Sequence, residues 1–178
     1  LPDVRGTWTP QLRPGDVLVL VDLGAGRDRL GGSILGQVQG EFGGPVPDLD
    51  DPQRLLSLVA ALADLRSRSV EVAYHDRSDG GLWAAVCEMA FAGAVGVELD
   101  VPSVAALFAE ELGAVLGVPA ARTAEVLQVF ASHGLGDVVT VVGGTASGRV
   151  VRVSVAGEAA IQEPVRDLAQ AWDEVSWR

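Results

Sequence analysis

Residues 73–81 read AYHDRSDGG and lie between a short β-prone run, residues 70–74, and a predicted helix over about residues 80–92. The apolar side chains that share one face of this helix are Leu82, Val86, Met89 and Ala90. Two carboxylates, a hydroxyl and a glycine pair are therefore concentrated where a strand ends and a helix begins. This stretch indicates a helix packed on a sheet and is also where we expect the chemistry.

A second strand is predicted upstream of this turn. Val17–Val21 is a continuous apolar run that ends at Asp22, which is typical of a strand buried on both faces. Farther along, Asp51 and Pro52 supply an N-cap and a first-turn residue for another helix. The apolar residues of its predicted buried face are Leu55, Val59 and Leu62.

The remaining elements complete a predicted α+β fold. Further strands are predicted at residues 95–100, 112–118 and 137–142 and around Val151, Val153 and Val155, and further helices after Pro102, over residues 121–132 and at the chain end. Strands that alternate with helices early and pair as a hairpin late indicate a mixed sheet flanked by helices.

We expect the chain to be a piece of a longer protein, because it begins without an initiator Met or a signal pattern. Residues 1–15 are punctuated by proline and predict an extended lead-in from an upstream domain. Residues 16–163 then form the main domain, and residues 164–178 form a terminal helix that leads toward a further domain.

Composition excludes several classes of function. The formal net charge is −11 and the positive side chains are scattered, which argues against a nucleic-acid partner. All 13 basic residues are arginine, so the chain has neither a Walker-type phosphate lysine nor a Schiff-base lysine. A single cysteine excludes an internal disulfide framework. No apolar run approaches the ~20 residues of a membrane span, and we expect a cytoplasmic protein.

The turn after the predicted strand could hold a phosphate and a magnesium ion. A helix start offers unpaired N–H groups and the positive end of the helix dipole, and Gly80 and Gly81 let a phosphate approach the backbone. Magnesium takes one or two carboxylates together with phosphate oxygens and water. Asp76 beside such a helix start is therefore chemically sufficient.

Local chemistry also allows a purely structural interpretation of these residues. In it, Ser78 or Asp79 N-caps the helix, while Asp76 and Arg77 lie in solvent. A lone His75 beside a strand end is more often a hydrogen-bonded structural residue than a base. On local grounds the structural interpretation is favoured, and the family resemblance described below reverses that preference.

Other candidates are weaker. The loop over residues 24–33 follows a buried strand, but Arg29 stands where G-x-G-x-x-G needs its third glycine, so no dinucleotide site is predicted there. Glu110 and Glu111, directly before a predicted strand, either face a ligand cleft or lie in a solvated turn, and we expect the solvated turn. Cys87 has largely apolar neighbours and is expected to fill the core.

Six stretches of the chain carry a family resemblance. They are AYHDRSDGGL (73–82), EMAFAG (88–93) and FAEELGAV (108–115), supported by DVRGTWTPQL (3–12), LVDLGAGRDRLGGSILGQV (20–38) and AWDEVSW (171–177). Together they resemble the large, single-chain type of formylglycinamide ribonucleotide amidotransferase, and HDRSDGG is a specific motif. The related selenophosphate synthetases and hydrogenase maturation dehydratases carry a differently worded glycine motif at this place and are the alternatives.

The resemblance implies an activity and a place in a larger enzyme. The family converts formylglycinamide ribonucleotide, ATP and glutamine to the amidine, with release of ADP, phosphate and glutamate. Its synthetase region is a duplicated pair of N- and C-terminal domains followed by a glutaminase, and HDRSDGG belongs to the second copy. This chain is then expected to be the second C-terminal domain, a three-layer α/β/α fold related to the ferredoxin-like topology. Its expected partners are the remaining domains of the same full-length chain.

The resemblance also implies roles for residues of the turn. By motif match, Asp76 binds Mg²⁺ and Ser78 contacts the adenine nucleotide, ATP or ADP, while Asp79, Gly80 and Gly81 shape the helix start. No catalytic residue is expected in the chain, because the glutaminase triad and the catalytic histidine of the first half have no counterpart in it, and the excised chain is expected to be inactive. Two functions stay open: a half-site of an ATP-dependent ligase, and a structural domain whose nucleotide only holds the large enzyme together.

Overall fold

The computed structural model describes residues 6–176, which form one mixed sheet with helices on its faces. The strands are β1 (Asp16–Asp22), β2 (Ala73–Asp76), β3 (Gly96–Val101), β4 (Gly113–Pro119), β5 (Val139–Ala146), β6 (Val150–Val155) and β7 (Glu158–Pro164). They lie in the order β2-β4-β1-β5-β3-β6-β7, and every neighbouring pair is antiparallel except β3 and β6, which are parallel. The predicted α+β fold with a mixed sheet is confirmed.

Helices cover the two faces of this sheet. They are α1 (Ile34–Gln39), α2 (Pro52–Ser67), α3 (Gly81–Gly93), α4 (Val104–Phe108), α5 (Thr123–Ser132) and α6 (Val165–Ser176). Side chains of α3, α4 and α6 contribute to the apolar cluster on one face, and those of α2 and α5 contribute to the cluster on the other. Within residues 6–176, no helix is long and apolar enough to cross a membrane.

β1 lies inside the sheet between β4 and β5, as its continuous apolar run predicts. Its side chains alternate between the two faces, so Leu18 and Leu20 join one apolar cluster while Val19 and Val21 join the other. All four side chains are buried. The predicted burial of this strand on both faces is confirmed.

α3 also packs as predicted. Its buried face contains Leu82, Val86, Met89 and Ala90, all fully buried. Cys87 lies beside them and is buried too, so its expected role as core filling is confirmed. Burial raises the pKa of the Cys87 thiol to about 12.

α2 begins where predicted, and its buried face only partly matches the predicted one. The Asp51 side chain accepts a hydrogen bond from the backbone N–H of Gln53 and caps the helix, with Pro52 in its first turn. Of the expected face, Leu55 and Leu62 are partly buried and pack against the apolar cluster, whereas Val59 is 60% exposed. The buried residues are Leu58, Ala61 and Leu65. Apolar residues occur on several sides of this helix, so periodicity alone did not select the face that contacts the sheet.

The end of the sheet differs from the prediction in two respects. β6, expected as an antiparallel strand, pairs in parallel with β3 and antiparallel with β7. β7 was not predicted, because its sequence, EAAIQEP, is mostly exposed and has no apolar alternation. At the opposite edge of the sheet, β2 begins at Ala73, three residues after the start of the β-prone run that predicted it.

The segment before β1 packs closely on the domain. Leu12 is 1% exposed and belongs to the apolar cluster that contains α3. The Thr9 carbonyl accepts a hydrogen bond of 2.9 Å from the N–H of Tyr74 in the edge strand β2. The Arg66 guanidinium lies 4.9 Å from the centre of the Trp8 ring, a cation–π distance.

Candidate functional site

The turn between β2 and α3 lies at the edge of the sheet and opens on a cleft. The side chain of Asp76 is 73% exposed, and Ser78 and Asp79 are exposed as well. All three line a cleft of about 630 Å³, together with Gly31 and Gly32 of the loop before α1. Apolar side chains of α2 complete its wall. Three of the predicted site residues are therefore brought together on one surface.

The two glycines of the motif form the start of α3 but do not line the cleft. Gly80 is the N-cap residue with φ 78°, and Gly81 follows with φ 67°, both in the left-handed region that favours glycine. A Cβ at Gly81 would lie 2.7 Å from the backbone carbon of Phe108. This glycine pair therefore permits a tight turn against the segment that follows α4.

The purely structural interpretation of the turn is wrong in two respects. No side chain caps α3, so neither Ser78 nor Asp79 acts as the N-cap. Arg77 does not lie in solvent, because it is only 4% exposed. Asp76 is exposed, as that interpretation and the metal-binding hypothesis both require.

Arg77 is the buried centre of the turn. Its Nη2 donates to Oδ1 of Asp22 at 2.5 Å, and its Nε donates to the backbone carbonyl of Glu111 at 2.6 Å. Nη2 also contacts the carbonyl of Leu112 at 3.4 Å, while Nη1 has no hydrogen-bond partner. The guanidinium therefore ties the turn to the end of β1 and to the start of β4.

Asp22, at the end of β1, also accepts hydrogen bonds from the loop that follows the strand. Its carboxylate accepts hydrogen bonds from the N–H of Gly24 at 3.1 Å and of Gly26 at 2.7 Å, besides the bond from Arg77. Burial raises the pKa of the nearby Asp28 carboxyl, and the negative charge of Asp22 raises it further. The loop after β1 is thus held against the turn by a largely buried ion pair.

Glu111 is a buried carboxylate beside the turn whose partners sequence reasoning did not predict. Its side chain is fully buried and forms a bidentate pair with Arg29, with Nε to Oε1 and Nη2 to Oε2 both at 2.7 Å. Arg29 also donates to Asp50 at 2.8 Å, and Arg27 pairs with the same carboxylate. Hydrogen bonding to Glu111 raises the pKa of Arg29, and hydrogen bonding to Arg29 lowers that of Asp50.

The expectation of a solvated turn at Glu110 and Glu111 is therefore wrong. Glu110 is half-buried, and its Oε1 accepts hydrogen bonds from the N–H groups of Ile34 and Gly80, each at 2.8 Å. The partners of this glutamate pair lie at least 30 residues away in the sequence. The sequence offered one signal. Glu110 and Glu111 directly precede a predicted buried strand, and carboxylates that are buried beside such a strand need hydrogen-bond partners.

His75 has a structural role, as expected. Its Nε2 lies 2.7 Å from Oε2 of Glu88, and its Nδ1 lies 2.7 Å from the backbone carbonyl of Asp76. Trp172 of α6 donates to the other oxygen of Glu88 at 3.0 Å. These bonds connect the end of β2 to α3 and α6.

A metal ion in this cleft would have few ligands from the protein. Within residues 6–176, no group of three or more His, Cys, Asp or Glu side chains could hold a metal ion. Asp76 and Asp79 nevertheless present exposed carboxylates to the open cleft. This donor set fits a magnesium ion that takes its remaining ligands from phosphate and water, rather than an ion held in a protein cage.

The sheet topology and the helix layers define an α+β domain with a carboxylate-bearing turn at the sheet edge. The family model described as AIR synthase related protein, C-terminal domain, matches residues 13–156. The chain belongs to this family.

Relatives extend this assignment. The chain is 39% identical over 188 residues to phosphoribosylformylglycinamidine synthase of Schizosaccharomyces pombe, an alignment that covers 99% of the chain and 14% of the relative. Among solved structures, T. maritima PurL complexed with ATP matches 92% of this chain with 27% of its own, at a TM-score of 0.71 and 21% identity. E. coli HypE matches 86% of this chain with 51% of its own, at a TM-score of 0.60 and 24% identity. These structures confirm the fold, and the chain spans only about one seventh of the yeast relative.

Proposed function

We propose that this domain contributes half of a magnesium–nucleotide site to an ATP-dependent ligase that forms formylglycinamidine ribonucleotide. The observation that carries the proposal is the grouping of Asp76, Ser78 and Asp79 on one cleft wall beside a glycine start of α3. It is supported by the 39% identity to a phosphoribosylformylglycinamidine synthase. Glutamine supplies the ammonia through another domain of the full-length protein, so the excised chain forms no amidine.

Each residue of the turn has a defined task in this proposal. The Asp76 carboxylate binds Mg²⁺, which neutralises phosphate charge when it is bound. The exposed hydroxyl of Ser78 contacts the nucleotide. Gly80 donates its N–H to Glu110, so Gly80 and Gly81 contribute through backbone conformation.

The charges around the cleft favour a metal ion as the partner of phosphate. The chain has no lysine, and the three arginines near the turn are paired with carboxylates. Arg77 pairs with Asp22, whereas Arg27 and Arg29 pair with Asp50. Because these guanidinium groups are engaged, Mg²⁺ on Asp76 is the available cation beside the exposed face of the turn.

A second domain of the same protein completes the site in this proposal. Large apolar side chains stand exposed on the segments that border the cleft: Val38 is 79% exposed, Phe42 85% and Val59 60%. An exposed apolar surface beside a cleft is typical of a binding interface. The preceding synthetase-type domain covers this surface and the nucleotide, and the enzyme is cytoplasmic.

Asp76→Asn in the full-length protein tests the proposal. Removing the anionic ligand should lower the amount of adenine nucleotide that co-purifies with the protein. The melting temperature should fall with it, because a ligand bound only to the native state at 100 times its Kd contributes about 2.7 kcal/mol. Asp167→Asn on the exposed surface of α6 is the matched control. Unchanged nucleotide content and stability in Asp76→Asn would rule out the metal site.

A structural role, in which the nucleotide only holds the large enzyme together, is the second candidate. The same variant separates the two. If Asp76→Asn loses its nucleotide but each folded molecule keeps its turnover rate, the nucleotide holds the enzyme together. If turnover is lost in proportion to nucleotide, the half-site takes part in the reaction.

A further inference from the structure

Glu110 joins the two sides of the cleft through a single oxygen atom. Its Oε1 accepts from the N–H of Gly80, at the start of α3, and from the N–H of Ile34, at the start of α1. Both bonds are 2.8 Å long. Gly80 directly follows Ser78 and Asp79, and Ile34 directly follows the loop that carries Gly31 and Gly32; these four residues line the same cleft.

The backbone that carries Glu110 is itself fixed. The adjacent Glu111 is fully buried and held by both nitrogens of the Arg29 fork. On the other side, Ala109 is fully buried, and its N–H donates to the carbonyl of Ala105 at 2.8 Å. Because the residues on both sides of Glu110 are held in this way, its carboxylate is well suited to set the distance between its two donors.

Resting on the proposed function, we propose that Glu110 is the positioning residue of the nucleotide half-site. Its carboxylate holds the Gly31–Ile34 loop and the start of α3 at one separation, so that both cleft-lining segments are in place before the nucleotide arrives. Its Oε1 is occupied by two N–H donors, and in this proposal Glu110 acts through the backbone segments that these donors belong to. Positioning that exists before binding lowers the ordering cost of the ligand.

Substitutions at Glu110 in the full-length protein test this role. Glu110→Ala removes the bridge, whereas Glu110→Gln keeps an oxygen acceptor in the same place. Glu163→Gln on the exposed strand β7 is the matched control. Hydrogen exchange at the amides of Gly80 and Ile34, measured without nucleotide, reports the bridge itself. The Kd for Mg-ADP, with the melting temperature as a check on folding, reports its consequence.

The expected results differ between the variants. Glu110→Ala speeds exchange at both amides about tenfold and raises the Kd for Mg-ADP about tenfold, the size of one charge-assisted hydrogen bond. Glu110→Gln restores most of the protection and most of the affinity. Glu163→Gln matches the wild type in both measurements.

Three outcomes would overturn the inference. Unchanged exchange in Glu110→Ala means that the bridge does not hold these amides. A second outcome is that Glu110→Ala shows faster exchange with an unchanged Kd for Mg-ADP, while Asp76→Asn still raises that Kd. This result means that the bridge does not prepare the site. An equal loss of affinity in Glu110→Gln and Glu110→Ala means that the carboxylate charge acts on the metal directly. Failure of the proposed function is distinct, because then the wild type itself binds no Mg-ADP.

Discussion

Replacing Arg77 by methionine should be far more damaging than its position in an exposed turn suggests. The guanidinium is completely buried and donates to Asp22 at 2.5 Å and to the Glu111 carbonyl at 2.6 Å. Removing one partner of a buried ion pair costs about 3–5 kcal/mol. Asp22 keeps its two backbone donors, and the unpaired Nη1 disappears with the side chain, so we expect the lower end, about 3 kcal/mol.

Urea unfolding of the 178-residue chain measures this loss. With an m-value of about 2 kcal/mol/M, a loss of about 3 kcal/mol lowers the unfolding midpoint by about 1.5 M. Arg152→Met is the matched control, because Arg152 pairs with Glu98 at 3.4 Å in an exposed setting and should cost less than about 1 kcal/mol. If the Arg77→Met midpoint lay within about 0.3 M of the control, the reasoning from burial would be refuted.

Three further predictions concern the core, the charge pairs and the lead-in. The Cys87 thiol, with its pKa raised to about 12 by burial, should resist alkylation at pH 8 in the native chain and react once urea unfolds it; rapid labelling of folded protein would contradict its burial. Hydrogen bonding to Arg68 lowers the pKa of Asp64 from 3.8, so the stability that this carboxylate contributes is complete above about pH 4 and is lost as the pH falls through the lowered pKa. The stability difference between wild type and Asp64→Asn should therefore shrink as the pH falls below about 4, and a difference that vanished near pH 6 would argue against the pair. Gly93→Ala should destabilise the chain by about 1–3 kcal/mol in urea, because its Cβ would overlap the Leu12 carbonyl; a neutral effect would mean that the lead-in packs elsewhere.

The sequence correctly predicted those elements that depend on residues close together in the chain. The five-residue apolar run of β1 and the Asp51 cap of α2 each depend on neighbours in sequence, and both appear as expected. The buried face of α2 was predicted only in part, because several of its sides are apolar. β7 was missed because its pairing with β6, rather than its own composition, makes it a strand.

In the candidate site, likewise, some residues could be predicted from the sequence and others could not. The motif match identified Asp76 and Ser78, and the structure brings them to one cleft, whereas their roles as ligands stay predictions. The supporting contacts could not be predicted from sequence, since Arg29 and Glu111 are separated by 82 residues. Arg77 follows β2 and its partner Asp22 ends β1, and β4 lies between these two strands in the sheet. The strand order therefore determines which carboxylate the buried guanidinium contacts.

The most direct test of the central claim is a crystal structure of the full-length protein with Mg-ADP bound. The account predicts a magnesium ion about 2.0–2.1 Å from a carboxylate oxygen of Asp76, with its other ligands from phosphate and water. The Ser78 hydroxyl should lie within hydrogen-bond distance of the nucleotide. A nucleotide bound in the protein with its metal remote from Asp76, or no nucleotide in the cleft beside the start of α3, would contradict the claim.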